Sequence, residues 1–578
     1  MEIGELMASW SGGVVLLSVV VPLIGAAAVS LSARISFHAA RSVALAGSTV
    51  SVVLAGCVLW QFDPEARDTD GVRMTTQMES GFVWDIGVSG SDPVAGVRNS
   101  PPGAELAKTN LGRAAGYRVS FGVDGLGLWP FVCVTVIVWC LIVVEWDRWQ
   151  QRSPVVLPLL LLLEAALIGF LSGRDVLTVS ICLLSVACLL PLLLGTAGGD
   201  RRRTAARRLM FQQWTAALLV TSGFAGLIGV HAIMLGAPNS APGAPSFQID
   251  QLIAAVPGAN SPASAVWSRI SSWLFLALMI GFYFWSGLAP SHSAAVLAQL
   301  EGDAPTQVAL TSLSLSAGIY GLLRFVTPLF PQLSTTFGPA LFFLAACSVI
   351  YTSAWMSAER DAARLAAGGA ILWRSLALAG LATSTVNGIR GCLLLLPGAM
   401  LTSAACILAA HSGGPHGRST VPGESTSADP VPVRLRPGGC FAGFAAAGLP
   451  GAALFPGILL VLGGITEMRW QLPGGWMLTL LIAAGAVLAA GGVFLRTMLM
   501  HGDGDASGEV RSPIRKAGPV AGLAVLAAMS IAIGVRPGLV LDRAHPTLVV
   551  LLGLPDEPVD ETGFGASPRA SSEIGLSD

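Results

Sequence analysis

Two side chains inside the apolar stretches of this 578-residue sequence could gain and lose a proton. Glu164 lies near the middle of an apolar run over residues 154–172, and an ionisable group at that depth is costly enough to indicate a function such as proton transfer. Alternatively, Glu164 is a neutral glutamate whose hydrogen bonds tie helices together. His292 follows a break in a later apolar run and could relay protons, because imidazole titrates near neutral pH. The alternative for His292 is a surface histidine at a helix end.

Four further charged residues lie in or beside apolar runs, and we predict structural roles for them. Arg374 lies inside a run, and Arg174 lies at the end of one. Arginine keeps its proton at ordinary pH, so both are expected to pair with other groups or to extend toward the membrane surface. Asp175 is one candidate partner for Arg174. Asp124 stands at a helix entrance, where a carboxylate is favourable, and we expect it to cap that helix.

Composition and motifs argue against a soluble or cofactor-binding protein. Charged residues make up 12% of the chain and the mean hydropathy is +0.69, whereas a soluble domain carries roughly a quarter charged residues. The net charge of −1 leaves no basic footprint for nucleic acid. The nine cysteines include no C-x-x-C pair, and no glycine-rich fingerprint indicates nicotinamide binding. We therefore expect neither a cofactor nor a metal on this chain.

The apolar runs are long enough to cross a membrane as helices. A spanning helix needs roughly twenty apolar residues, and the alternating pattern of barrel strands is absent. Because lipid tolerates only helices and closed barrels, we predict an all-α polytopic membrane protein of about fourteen transmembrane helices. The predicted spans are 12–32, 42–61, 125–145, 154–172, 175–196, 208–234, 269–290, 307–327, 338–357, 362–384, 390–411, 439–463, 475–500 and 516–537.

The seventh and twelfth predicted spans contain helix breakers. Proline removes a backbone hydrogen bond, and glycine adds conformational freedom. Broken helices at matching places in two halves of a chain point to the ion path of a transporter. Here they fall in the fourth helix of two five-helix repeats, spans 4–8 and 9–13, which we predict to be inverted. The alternative is a simple kink or a helix end near the membrane surface. The breakers are Gly287, Pro290, Pro450, Gly451, Pro456 and Gly457.

Polar segments and basic residues predict the domain organisation and the orientation. Loops after odd-numbered spans are rich in arginine, so the positive-inside rule makes them cytoplasmic and puts both termini outside an inner (plasma) membrane. The predicted segments are 1–61 with spans 1 and 2, 62–124 as an outer polar loop, 125–411 with spans 3–11, 412–438 as a Pro/Gly/Ser-rich cytoplasmic linker, 439–543 with spans 12–14, and 544–578 as a polar tail.

Six motifs, in this order along the chain, resemble the antiporter-like subunit M of respiratory NADH:quinone oxidoreductase (complex I). The resemblance implies a multi-pass subunit without a redox centre, associated with proton translocation coupled to NADH oxidation and quinone reduction. It also implies that other membrane subunits are its partners in the bilayer, and that partner subunits hold the flavin, the iron–sulfur clusters and the quinone. The motifs are Phe121–Leu128, Leu163–Leu171 followed by Asp175, Ile319–Pro331, Ala354–Leu365, Gly448–Gly457 and Ile533–Asp542.

The proton path that this resemblance implies is largely missing. In the family it uses a glutamate in the fifth helix, lysines in later helices and histidines between them, and Glu164 matches a further family acid. The chain has only two lysines, Lys108 in the outer loop and Lys516 at the start of the last span. The other family positions fall on residues that cannot ionise: Leu184 or Val186, Ser316, Trp373, Pro397 and Ile458.

Three functions therefore remain open. The resemblance favours a membrane-arm subunit of NADH:quinone oxidoreductase with a degenerate proton path. A non-conducting structural scaffold of that arm is the second, because an apolar centre without titratable groups is a barrier to protons. The third is a subunit of a multi-subunit cation/proton antiporter or of an ion-coupled uptake complex, although the same losses argue against an autonomous antiporter.

Overall fold

The computed structural model shows a bundle of helices with a small sheet at one end. It describes residues 3–64, 66, 76–84, 117–196, 199–235, 247–254, 256, 264–358, 362–412, 443–468, 485 and 517–552. Helices α1 to α16 are, in chain order, Ile3–Ser32, Phe37–Gln61, Leu128–Val144, Val156–Ser172, Val176–Thr196, Arg202–Leu235, Ile249–Ala254, Ser264–Trp285, Ser293–Glu301, Ala304–Leu329, Pro331–Ala358, Ala362–Ala382, Val386–Ser412, Leu454–Thr466, Ala517–Val535 and Gly538–Leu552.

The apolar runs form helices that satisfy their own backbone hydrogen bonds, as hydrocarbon requires. Within the described residues, nine helices are long and apolar enough to cross a membrane, and α15 with α16 forms a tenth candidate bent by 65°. Three shorter apolar helices, α3, α4 and α14, also coincide with predicted spans. The helical membrane fold is therefore confirmed. The count of fourteen stays a prediction, because the thirteenth span (475–500) lies outside the described residues except for Gly485, as does the linker beyond Ser412.

Three helices form the centre of the bundle. Of the 17 residues in each of α3 and α4, all but two are buried, and the apolar window of α10 is completely buried. A helix that is apolar on all sides belongs inside a protein or a membrane. Two π-helical segments interrupt α10, Ala309–Ser314 and Leu322–Val326, and such segments are frequent at functional sites.

A two-stranded antiparallel sheet marks one end of the bundle, which we call the hairpin end. Strand β1 (Thr76–Trp84) pairs with β2 (Tyr117–Asp124), with Thr76 opposite Asp124 and an irregularity between Gln77 and Ser80. The all-α prediction missed these strands, which belong to the expected outer loop. The motif at Phe121, expected to open the third span, begins in β2, and the helix itself begins at Leu128. The opposite end, with the loops after α3 and α5, is called the arginine-rich end.

Both predicted helix breaks are present. Helix α8 ends at Trp285, the chain turns through Gly287 with a φ of +61°, and α9 begins at Ser293 after Pro290. The second break passes Pro450 between Gly448 and Gly451, whose φ angles are +63° and +95°.

Pro456 and Gly457 do not break a helix, which corrects the prediction. They lie in the first turn of α14, where a proline loses no intrahelical bond. A Cβ added at Gly457 would come within 2.9 Å of the Leu395 side chain, so this glycine permits the close approach of α14 to α13.

The predicted polar tail also begins later than expected, because residues 544–552 belong to helix α16. This helix packs on the start of α3 at the hairpin end. The Trp129 indole donates to the Leu539 carbonyl at 2.9 Å, and the Gly125 amide donates to the Thr547 hydroxyl at 3.1 Å. Residues 553–578 lie outside the described part of the chain.

Replacing Gly287 by alanine should destabilise the protein. The backbone there is left-handed, which costs an L-residue about 1–2 kcal/mol, and the new Cβ would meet Ala295 and Leu315 at 3.2 Å. The melting temperature in detergent is expected to fall. Gly229→Ala is the matched control, because a Cβ at Gly229 meets nothing within 4 Å; an equal loss in both variants would contradict the argument.

Candidate ion pathway

A buried ion pair joins α10 to the start of α3 at the hairpin end. The Arg324 Nε lies 2.5 Å from Asp124 Oδ2, and the two side chains are 4% and 3% exposed. The other Asp124 oxygen accepts from the Gly127 amide at 2.6 Å. Asp124 therefore fixes the turn that enters α3 and at the same time neutralises the arginine of the second π segment. Charges removed from water need such partners, because they lose their hydration.

Arg174 forms a second buried contact beside that pair. Its guanidinium is 4% exposed and forms ion pairs with Asp250 of the short helix α7 and with Glu79 of β1. Burial and the positive charge of nearby Arg324 lower the pKa of Arg174, and the Asp250 carboxylate opposes that effect. Arg324 also approaches Asp250, at 3.6 Å. We call Glu79, Asp124, Arg174, Asp250 and Arg324 the hairpin-end cluster.

Asp175 holds the backbone together next to this cluster. One carboxylate oxygen accepts from the Thr178 amide at 2.7 Å in the first turn of α5, and the other accepts from the Ser120 amide of β2 at 3.2 Å. Residue 175 also forms an isolated β-bridge with Gln248, just before α7. Asp175 thus stabilises a helix N-terminus and anchors the sheet to the bundle.

A second ionic cluster closes the arginine-rich end. Glu145, which is completely buried after the end of α3, binds Arg148 at 3.0 Å and Arg152 at 2.7 Å. Arg152 also binds Asp303 at 3.2 Å, and Asp303 caps α10 through the Thr306 amide. We call Glu145, Arg148, Arg152 and Asp303 the arginine-end cluster. Ion pairs therefore link both ends of α10 to residues that flank α3. Asp303 is linked through Arg152 to Glu145, and Arg324 is paired with Asp124.

Glu164 lies away from both clusters. It is completely buried on α4, a helix that packs against α1, α3 and α5. Ser51 of α2 lies beside its carboxyl group, yet neither carboxyl oxygen has a hydrogen bond of acceptable geometry among the described residues. The structure therefore brings Glu164 to no ionisable partner within its described part. Ser51 is the polar side chain placed to bond a neutral carboxyl group there, so the alternative interpretation stays open.

His292 lies at the surface side of the first helix break. It is half-buried, at the position before α9, and its Nε2 lies 3.3 Å from the hydroxyl of Tyr351, which is 50% exposed. The break itself is held by other groups: the Gln212 amide donates to the Phe284 carbonyl at 2.8 Å, and the Ala289 amide donates to Ser348 at 3.4 Å. Two of the backbone groups at the break are thus bonded to neighbouring helices, as lipid demands.

Arg374 is a fixed charge in the interior of α12. It is 1% exposed, and its Nε donates to the Ala370 carbonyl one turn earlier at 3.0 Å. Its Nη1 is buried without a hydrogen-bond partner, and no ion pair to Arg374 occurs in the described part of the chain. Among the residues that the structure describes, the partner of this charge is therefore a backbone carbonyl and not a carboxylate.

Uncharged polar side chains line the helices packed against α12. Gln299 on α9 accepts from Thr311 of the first π segment at 2.8 Å, and Ser348 bonds to Ser375 at 2.7 Å. Several buried polar atoms on α9, α10, α12 and α13 have no protein partner within the described residues, and polar sites of that kind can hold water. They belong to Gln299, Ser312, Ser314, Trp373 and Thr402.

Several of these side-chain partners have no signal in the sequence. Arg324 was visible as a charge at the end of an apolar run, but nothing in the sequence paired it with Asp124, two hundred residues earlier. Asp250 stands alone in a polar loop, and only folding brings it to Arg174. Glu145 offered a local signal, because an acid three residues before an arginine reaches it on one helical turn. The described residues contain no group of three His, Cys, Asp or Glu side chains that could hold a metal ion.

The sequence comparisons identify homologues in one family. Residues 227–488 match the model described as "NADH:quinone oxidoreductase/Mrp antiporter, TM". NADH-quinone oxidoreductase subunit M of Rhodobacter capsulatus is 24% identical over 84% of this chain and 91% of that protein. NAD(P)H-quinone oxidoreductase chain 4 3 of a Picosynechococcus strain is 27% identical, but the match covers 51% of this chain and 50% of the relative. The chain thus spans only about half the length of some relatives it matches.

Solved structures share the fold. A chain of respiratory complex I from Thermus thermophilus superposes with a TM-score of 0.68 at 20% identity, covering 93% of this chain and 99% of that one. A chain of the Mrp complex from Dietzia gives a TM-score of 0.64 at 14% identity, covering 94% and 98%. At these identities the likeness shows the architecture alone.

Breaking the Asp124–Arg324 pair should be strongly destabilising. Each of Asp124→Asn and Arg324→Gln leaves the other charge buried, which costs about 3–5 kcal/mol. The double variant should lose less than the sum of the two, because no uncompensated charge remains. A double-mutant cycle by denaturant titration in detergent measures the coupling. Arg34→Gln, at an exposed site, is the control, and additive losses would refute the pairing.

Proposed function

We propose that this chain, which carries the NADH:quinone oxidoreductase/Mrp antiporter transmembrane domain over residues 227–488, is an M-type membrane-arm subunit of an NADH:quinone oxidoreductase. The observation that carries the proposal is the match to subunit M over 84% of the chain, joined to the fold it shares with a complex I chain. In this role the chain has no redox centre. Partner subunits supply the flavin, the iron–sulfur clusters and the quinone site, and the neighbouring membrane subunits are its direct partners.

The subunit's own proton route is degenerate in this proposal. Both lysines of the sequence lie outside the membrane centre. Glu164 is isolated on α4, and His292 lies beside an exposed tyrosine. The one charge deep in α12, Arg374, cannot release its proton at ordinary pH. A fixed positive charge in a narrow path repels protons and cations. The main role of the chain is therefore to connect the neighbouring membrane subunits, and ion conduction is secondary.

One observation favours a second candidate, a route carried by water. The buried hydroxyl and amide groups around α12 that lack protein partners could order a chain of water molecules. Such a chain could move protons without lysine, and the fold shared with an Mrp complex chain extends this candidate to a subunit of a cation/proton antiporter. Proton measurements on the intact complex separate the two.

The proposed orientation puts the chain in the plasma membrane with the arginine-rich end in the cytoplasm and both termini outside. Alkaline phosphatase fused after Asp578 should therefore be active, because the enzyme matures only outside the cytoplasm, and the same enzyme fused after Gln150 should be inactive. Green fluorescent protein at both sites is the control and should give the opposite pattern. If alkaline phosphatase is active after Gln150 and inactive after Asp578, the topology is the reverse of the one proposed.

Glu164→Gln should leave proton translocation unchanged if the route is degenerate. The complex that co-purifies with this chain is reconstituted in liposomes, and protons moved per NADH oxidised are measured for wild type and variant. Glutamine preserves the shape of the side chain, and Glu467→Gln, at an exposed site, is the matched control.

A yield that falls only with Glu164→Gln would mean that a proton route survives through α4. If no NADH-oxidising subunits co-purify, the membrane-arm assignment itself fails, whatever the proton yield of the preparation.

A further inference from the structure

An open groove lies beside the first helix break. It has a volume of about 650 Å³ and runs between α6 and the junction of α8 with α9. Arg207 and Arg208 line one part of it, Phe211 and Phe284 contribute aromatic surface, and Ser293 belongs to the first turn of α9. None of these residues takes part in the two ionic clusters.

The two arginines of the groove lack a counter-charge. Arg207 and Arg208 are exposed, and neither forms an ion pair within the described part of the chain. They belong to a run of five arginines between residues 201 and 208. Guanidinium groups at the end of a membrane helix bind phosphate well, because their N–H groups match two phosphate oxygens. The groove therefore selects a ligand with an anionic phosphate at this end.

Apart from the arginines, the surface of the groove is mostly apolar and extends along α6. From Thr204 to Thr215 the helix rises about 16 Å, which carries the wall from the level of lipid headgroups into the acyl-chain region. Phe211 is 77% exposed there. Gln212, which is 7% exposed, donates from its amide nitrogen to the Phe284 carbonyl, and its oxygen has no partner among the described residues.

We propose that this groove binds one anionic glycerophospholipid, with its phosphate on Arg207 and Arg208 and an acyl chain against Phe211 and Phe284. Basic pockets between membrane helices are suited to anionic headgroups. The bound lipid would contact the same break that Gln212 holds, and so would stabilise it. The inference does not depend on the proposed function.

Lipid-dependent thermal stability tests the site. The full-length protein in detergent is titrated with phosphatidylglycerol, with phosphatidylcholine and with inorganic phosphate, and the melting temperature is followed. Phosphatidylglycerol alone should stabilise. The double variant Arg207→Gln/Arg208→Gln should bind phosphatidylglycerol roughly thirtyfold more weakly, because each basic residue contributes about 1 kcal/mol to binding. The double variant Arg207→Lys/Arg208→Lys should restore most of the affinity.

The matched control is Arg201→Gln/Arg203→Gln, which removes the same charge from exposed sites that do not line the groove. An equal loss in this pair, or equal stabilisation by phosphatidylcholine or by inorganic phosphate, would overturn the lipid site. A photo-crosslinking amino acid in place of Phe211, used in native membranes, supplies an independent readout. A lipid adduct by mass spectrometry supports the proposal, and a protein adduct overturns it in favour of a partner subunit.

Discussion

The cost of placing a charge in hydrocarbon decides where the charged residues of this protein lie. Most buried charges collect at the two ends of the bundle, where each finds a partner: Asp124 with Arg324 at one end, and Glu145 with Arg152 at the other. Because α10 carries Arg324 near its end and Asp303 at its start, both ends of this helix are fixed relative to α3. Removing one member of a buried pair costs more than the pair contributes, so the pairs specify register more than they add stability. The first π segment of α10 lies between these fixed points, and the second contains Arg324 itself.

A second requirement of lipid, that backbone polar groups be bonded within the protein, explains the construction of the first break. The turn after Trp285 releases carbonyl and amide groups inside the bundle. Gln212 from α6 and Ser348 from α11 take up two of them, so the break is held by its neighbours. A break braced in this way is a fixed feature of the fold, which is why its outer face can offer a defined groove instead of a loose loop.

Hydropathy predicted most of the helices, since each apolar run needs only its own backbone partners. The two breaks were also predictable, because glycine and proline act locally; Pro456 misled because a proline in a first turn is harmless. The strands were missed because β1 and β2 are separated by more than thirty residues, and their pairing is not local. For the same reason the neighbouring Asp175 was one candidate partner for Arg174, whereas the ion pair in the structure comes from Asp250, 76 residues away in sequence. Local chemistry can be inferred from sequence, but side-chain partners across the bundle cannot.

Arg374, like Glu164, lies outside the paired clusters, and it bears most directly on conduction. Its Nε donates to the carbonyl of Ala370, and no carboxylate pairs with it in the described part of the chain. A lysine in such a place could lose its proton and become neutral, so its site could cycle with a moving proton. A guanidinium keeps its charge, and the local potential stays positive throughout. The loss of titratable groups and the presence of this fixed cation therefore act in the same direction. Protons that move along water molecules ordered by the nearby hydroxyl groups would have to pass a permanent positive charge.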